Sequence, residues 1–226
     1  MDETRSERFG AGSGLAALIV GAVGGALERG WPSASDPAAV ATFIATNRTA
    51  ILAQSVAFVL SAGFYLWFFG SLRSFLIRRE RGTGRLSTVA FGAGFVWAGL
   101  QMAAQAFQVG VAIAPAGRPE PALLWTMAAM FSIANMPLAV MLFATALVTL
   151  RTHAFPVPLG WLSAVAAVAQ MLLFAGTVVR SGPLAPNGWL TYALYPVIAV
   201  WLLPTTLVMI KRAGKLPDSA ELEGPV

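Results

Sequence analysis

Residues 87–113 read STVAFGAGFVWAGLQMAAQAFQVGVAI and carry no charged side chain. As a helix rising about 1.5 Å per residue, the run reaches ~40 Å, more than the ~30 Å hydrocarbon core of a bilayer. Its surroundings agree with a membrane setting. The chain has 226 residues, of which 57% are hydrophobic and 11% charged, and its mean hydropathy is +0.71. A soluble domain carries about 25% charged residues. The polar surface needed to face water is missing, so the bilayer is the natural solvent.

Five further apolar runs lie at roughly 12–28, 50–72, 123–149, 159–179 and 189–210, each near the ~20 residues that a spanning helix needs. The pattern predicts an all-α, polytopic membrane protein. A bundle of six transmembrane helices fills 12–210, between a tail at 1–11 and a tail at 211–226. The first run, GLAALIVGAVGGAL, is short and rich in small residues. Gly21 and Gly25 have GxxxG spacing, which predicts close packing against neighbouring helices. No small-x-small site precedes ERGWP, so a retained helix is expected in place of a removable signal. Glycines 92, 94 and 99 predict a second close approach, on span three. Between spans one and two, Asp36 before Pro37 reads as an N-cap and first helical residue. Val40, Phe43 and Ile44 then form an apolar face. A short amphipathic helix at the outer interface is expected, with a soluble lid as the other possibility.

Charge sets the expected orientation. With the N-terminus inside, the inner segments hold Arg5, Arg8, Arg73, Arg78, Arg79, Arg81, Arg85, Arg151, Lys211, Arg212 and Lys215. The outer ones hold Arg29, Arg48, Arg118 and Arg180. Eleven against four places both termini in the cytoplasm. Trp31, Trp125 and Trp189 near the outer boundary and Trp161 near the inner one suit an aromatic belt. Thirteen arginines against two lysines, with much Ala and Gly, suggest a GC-rich bacterium and hence its inner membrane. The basic residues end apolar runs and form no stripe, so nucleic acid is not an expected partner.

Several chemistries are excluded by composition. No cysteine is present, which removes disulfides, thiolate metal sites and cysteine nucleophiles. No Asp, Glu, Lys or Arg falls in the middle of a predicted span, which argues against ion-coupled pumping. The single histidine, His153, lies in a predicted turn, so neither a metal site nor a bis-histidine haem can be assembled. Ser13 has no histidine at its depth for a serine-protease arrangement. No cofactor and no catalytic residue is expected.

Neutral polar groups remain. Gln101, Gln105 and Gln108 are spaced i, i+4, i+7 and fall within about 60° of one another on span three. Asn135 on span four, Gln170 on span five, and Tyr192 and Tyr195 on span six gather with them in the outer half of the bundle. Buried amides ordinarily tie helices together. The alternative is an outward-open cavity lined by these seven residues, taking a lipid or small apolar ligand.

The order SDPAAVATFIATNRTAIL, LWFFGSLRSFL, GRLSTVAFGAG, RTHAFPVPLGWLSAV and GPLAPNGWLTYALYP resembles a six-span inner-membrane protein family of unknown function, common in GC-rich bacteria. The resemblance covers nearly the whole chain. It implies a polytopic protein and brings no activity, ligand or catalytic residue. The sequence therefore points to a non-catalytic multi-pass protein that binds a lipid, a small apolar ligand or a partner protein. A small-molecule transporter without ionisable intramembrane residues is the alternative.

Overall fold

The computed structural model describes residues 3–27, 30–32, 36–80, 82–114, 121–179, 182–185 and 188–213. These form α1 (Glu3–Leu27), α2 (Pro37–Ile77), α3 (Arg85–Ile113), α4 (Pro121–Thr152) and α5 (Val157–Ala175), which runs on into a 3-10 turn (Gly176–Val178). They are followed by α6 (Trp189–Leu194) and α7 (Val197–Arg212). Six stretches are long and apolar enough to cross a membrane, α6 and α7 together making the sixth. Arg29, Arg81, Arg118, Arg180, Lys215 and the tail beyond Ala213 lie outside the described residues.

Each helix from α1 to α5 packs on the next, and α7 closes the ring against α5 and α1. One end of the ring gathers the start of α1, the α2–α3 and α4–α5 turns and the end of α7. It is called the basic end here, after Arg73, Arg78, Arg79, Arg85, Arg151, Lys211 and Arg212.

Residues 3–11 are helical and continuous with the rest of α1. One sequence expectation is corrected. The amphipathic segment before span two is not a separate helix. Asp36 caps it by accepting from the Ala39 backbone N–H at 3.0 Å, as its place before Pro37 implies. The helix then continues without a break to Ile77. At 41 residues, α2 is ~60 Å long, about twice the hydrocarbon thickness. The amphipathic face does not lie on the bilayer because a better surface is available to it. Val40 is buried with Val111 of α3 and Leu124 of α4, and Trp31 and Ile44 pack against them. Arg48 donates to the carbonyl of Ile113 at 3.4 Å, on the last turn of α3.

The ring has no open centre through its basic half. Phe68, Phe69, Leu72, Met141, Leu142, Trp201 and Leu202 are buried there. The Trp201 indole N–H donates to Ser163 at 2.7 Å, joining α7 to α5. The Ser163 hydroxyl in turn donates to the carbonyl of Leu159 at 2.8 Å. Phe68 of α2 meets the Trp201 ring edge-on, centroids 6.2 Å apart.

Small residues set the α1–α2 distance, but not at the expected pair. The seam runs through Gly10, Gly14, Ala17, Gly21 and Gly24, alternating steps of four and three along α1. A Cβ at Gly10 would overlap the Ser71 hydroxyl, and one at Gly14 would lie 2.6 Å from the Phe68 ring. Ser61 donates to the Ala17 carbonyl at 2.8 Å. Gly25 faces away, with no described atom within 4 Å of a Cβ there. The GxxxG pair is thus half right. Of the span-three glycines only Gly94 is close-packed, against Phe69, while Gly92 and Gly99 are exposed.

Prolines lie inside two helices, Pro137 in α4 and Pro204 in α7. Next to Pro204, Thr205 donates to the Trp201 carbonyl at 2.7 Å. Pro196 divides α6 from α7. His153 ends α4 in the left-handed region, φ 53°, where histidine is better tolerated than most residues.

The seam makes a sharp prediction. Gly14→Leu should lower the thermal midpoint in detergent by the equivalent of about 2 kcal/mol, an ordinary overpacking cost. Gly25→Leu should leave the midpoint unchanged. Equal effects would show that α1 does not seat on α2 along this face.

Candidate functional site

The glutamine stripe faces other helices. Gln108 is buried and its amide donates to the Ser55 hydroxyl of α2 at 3.0 Å. Gln105, one turn nearer the basic end, is 4% exposed, and its carbonyl oxygen has no hydrogen-bond partner among the described residues. Gln101 is half-buried. Asn135 is buried on α4, and its amide donates back to the carbonyls of Ser132 and Phe131, at 3.1 and 3.4 Å. Gln170 is buried on α5.

The structure does not gather these groups with the tyrosines. α3 lies between α2 and α4, whereas α6 leans on α5. Tyr192 is 62% exposed and Tyr195 48%. Ring closure in sequence order separates span three from span six. Gln108 ties α3 to α2 through Ser55, whereas Asn135 bonds back to its own helix. The buried indole N–H of Trp97 on α3 also has no hydrogen-bond partner among the described residues. Its ring meets Tyr65 edge-on at 4.8 Å.

A cleft opens at the basic end. It encloses about 540 Å³, within the roughly 300–1,000 Å³ of small-molecule sites. Its polar rim holds Ser6 and Glu7 of α1 with Ser71, Ser74 and Arg78 of α2. Leu66, Trp67, Phe75, Phe91 and Met209 form its apolar wall. Arg78 donates to Glu7 and bridges the two helices. Both side chains remain partly exposed, 42% and 23%. The bridge forms because α1 is already helical at Glu7 and the glycine seam holds it against α2. Ser74 donates to the Gly70 carbonyl at 3.1 Å, which leaves its oxygen lone pairs turned to other donors.

Three other charged groups at this end have partners of their own. Arg79 lies over the Phe75 ring, 4.5 Å from its centroid. Phe75 stacks on Phe155 at 4.6 Å. Arg212 donates to the Ala154 carbonyl at 2.8 Å, tying α7 to the α4–α5 turn. Glu80 caps α3, accepting from the backbone N–H groups of Leu86 and Ser87, each at 2.8 Å, and from the Ser87 hydroxyl. Gly84, the residue before the helix, has no side chain to do so. Burial opposes ionisation of Glu80, but the hydrogen bonds from Ser87 and Leu86 outweigh it. They hold the carboxyl below its ordinary range.

The sequence placed Ser6 and Glu7 in a tail and Ser74 and Arg78 in a loop, with Ser71 at the end of span two, and so missed the cleft. A signal was present: the small-residue spacing of α1 extends back to Gly10, which argues for helix through Glu7.

Among the described residues, no three His, Asp or Glu side chains group as a metal site would require. No family model matches the chain, and neither a curated protein nor a solved structure matches it. The resemblance to a six-span family therefore gains no support from these comparisons.

Two substitutions separate the roles of the amides. Gln108→Leu should lower the thermal midpoint, by the equivalent of ~0.6 kcal/mol typical of a hydrogen bond between membrane helices. Gln105→Leu removes a buried carbonyl that has no partner, and should leave the midpoint unchanged or raise it. A loss at Gln105 larger than that at Gln108 would reveal a bound polar group on the stripe.

Proposed function

We propose that this multi-pass membrane protein is a non-catalytic binder of an amphipathic lipid, held in the cleft at the basic end. The observation that carries this reading is the lining of the cleft. An ion pair and three serines line it together with aromatic and aliphatic side chains. A polar rim over an apolar wall, at the level where a bundle meets the headgroups, matches a molecule with one polar and one hydrocarbon end. The filled centre, with Trp201 and Phe68 fully buried, favours a binder over a conduit for solutes. The amide stripe is assigned to helix packing and not to the site.

The test is native mass spectrometry of the detergent-purified chain. A Cβ at Gly70 meets no described atom within 4 Å, and Gly70 lines the cleft. Gly70→Phe should therefore fill the space without displacing a helix. Co-purified lipid should fall at least severalfold while the thermal midpoint holds or rises, since glycine is a poor helix former. Lipid retained at the wild-type level by Gly70→Phe would remove the cleft from consideration.

We further infer that the basic end faces the cytoplasm of a bacterial inner membrane, on the positive-inside bias. The chain has no cysteine, so single cysteines report topology directly. A cysteine at Thr83 should be labelled only after the inner leaflet is made accessible, and one at Thr46 from outside. Reversal of the two would invert the orientation.

A further inference from the structure

We infer that the occupant of this cleft is a lipid with two hydrocarbon chains, seated astride α2; the inference deepens the lipid-binding reading above and rests on it. Residues of α2 from Leu66 to Arg78 line the cleft. At 3.6 residues per turn, Leu66 lies roughly 40° to one side of Gly70 and Phe75 roughly 140° to the other. The lining therefore takes up about half the circumference of the helix. Its two flanks face different neighbours. On the Leu66 side, Phe69 seats against Gly94 of α3; on the Phe75 side, Ser71 seats against Gly10 of α1. The rest of the lining agrees, with Phe91 contributed by α3, Ala11 by α1 and Met209 by α7.

α2 packs between α1 and α3, so a space that reaches both must cross it. The crossing is not on the inward side, where Phe68, Phe69 and Leu72 are buried and none of them lines the cleft. It runs over the outer face, across Gly70 and Ser74, whose small side chains keep this saddle low. The Ser74 hydroxyl is folded onto the Gly70 carbonyl at 3.1 Å. One turn deeper, Trp67 projects from the same face, 64% exposed and braced edge-on by Phe9 of α1 at 5.9 Å. It stands between the flanks and parts the space. A single-chain amphiphile covers one flank and leaves the apolar side chains of the other uncovered. A diacyl glycerolipid forks at its glycerol. With that fork over Gly70 and Ser74, one chain follows Leu66 and Phe91, and the second follows Ala11 and Met209. In a bilayer the gain is packing and not burial, because the surrounding tails are equally apolar. A fork that matches the saddle packs both chains at once.

The experiment incubates the full-length chain with an equimolar mixture of dioleoyl phosphatidylethanolamine and its monooleoyl lyso form. It then reads the ratio of retained lipids by native mass spectrometry. A shared headgroup leaves the chains as the difference. The wild-type chain should retain the diacyl lipid about tenfold over the monoacyl one, the scale of roughly a dozen further close carbon contacts. Leu66→Trp fills one flank from α2 and should bring the ratio near unity while the monoacyl lipid is still retained. Phe91→Trp fills the same flank from α3 and should do likewise, so the test survives a folding defect in either variant. A ratio near unity in the wild-type chain, or the wild-type ratio in both variants, overturns the two-chain inference and leaves lipid binding standing. Retention of neither lipid by the wild-type chain overturns both.

Discussion

Closure of the helix ring rests on Trp201. Five of the six spans pack in sequence order, each on the one before, and nothing in that arrangement obliges the last to return. Trp201 supplies the obligation. Its indole is fully buried, its N–H is accepted by Ser163 of α5, and its edge meets Phe68 of α2. In a bilayer, apolar surface alone gives helices little reason to associate, because lipid tails are equally apolar. What remains is close packing and the satisfaction of polar groups. Ser163 shows both, since its hydroxyl accepts from Trp201 while donating to its own helix. The Gly10–Gly24 seam then lets α1 close in on α2 and α7, with Gly14 beside both Phe68 and Thr206.

Large side chains are buried in the basic half of the ring. A cleft lies at the rim of that half, where α1 and α2 come together and Glu7 meets Arg78. The polar groups of the opposite half are dispersed among seams. Gln108 is joined to Ser55, Asn135 is turned back on its own helix, and the tyrosines of α6 stand at the exposed margin.

Much of this architecture was readable in the residues. Uninterrupted apolar length is a strong signal, and it located all six spans. Asp36 and Pro37 marked a helix start, because capping chemistry is local. The amphipathic face of Val40 and Ile44 was also legible, but its partner was not. Whether such a face meets lipid or protein depends on Val111 and Leu124, which come from distant parts of the chain. The same limit explains the glycines. Spacing proposed Gly21 with Gly25, whereas the contact follows 10, 14, 17, 21 and 24, a choice made by which face α2 presents. The cleft was hidden because it is made of residues that look like topology signals. Glu7 and Arg78 are 71 positions apart, and only the fold makes them neighbours.

One feature of the fold has a mechanical consequence. α2 is a single helix from the satellite cluster at Val40 to the cleft at Arg78, with no proline after Pro37. Phe58 and Ser61, against which Gly24 and Gly21 seat, lie near its midpoint. The seam on α1 continues from there through Phe68 and Ser71, and about 30 Å of the same rod extends the other way to the Val40 cluster. Because the rod is unbroken, turning it to suit one contact would unseat the other, so the two packings share a single register.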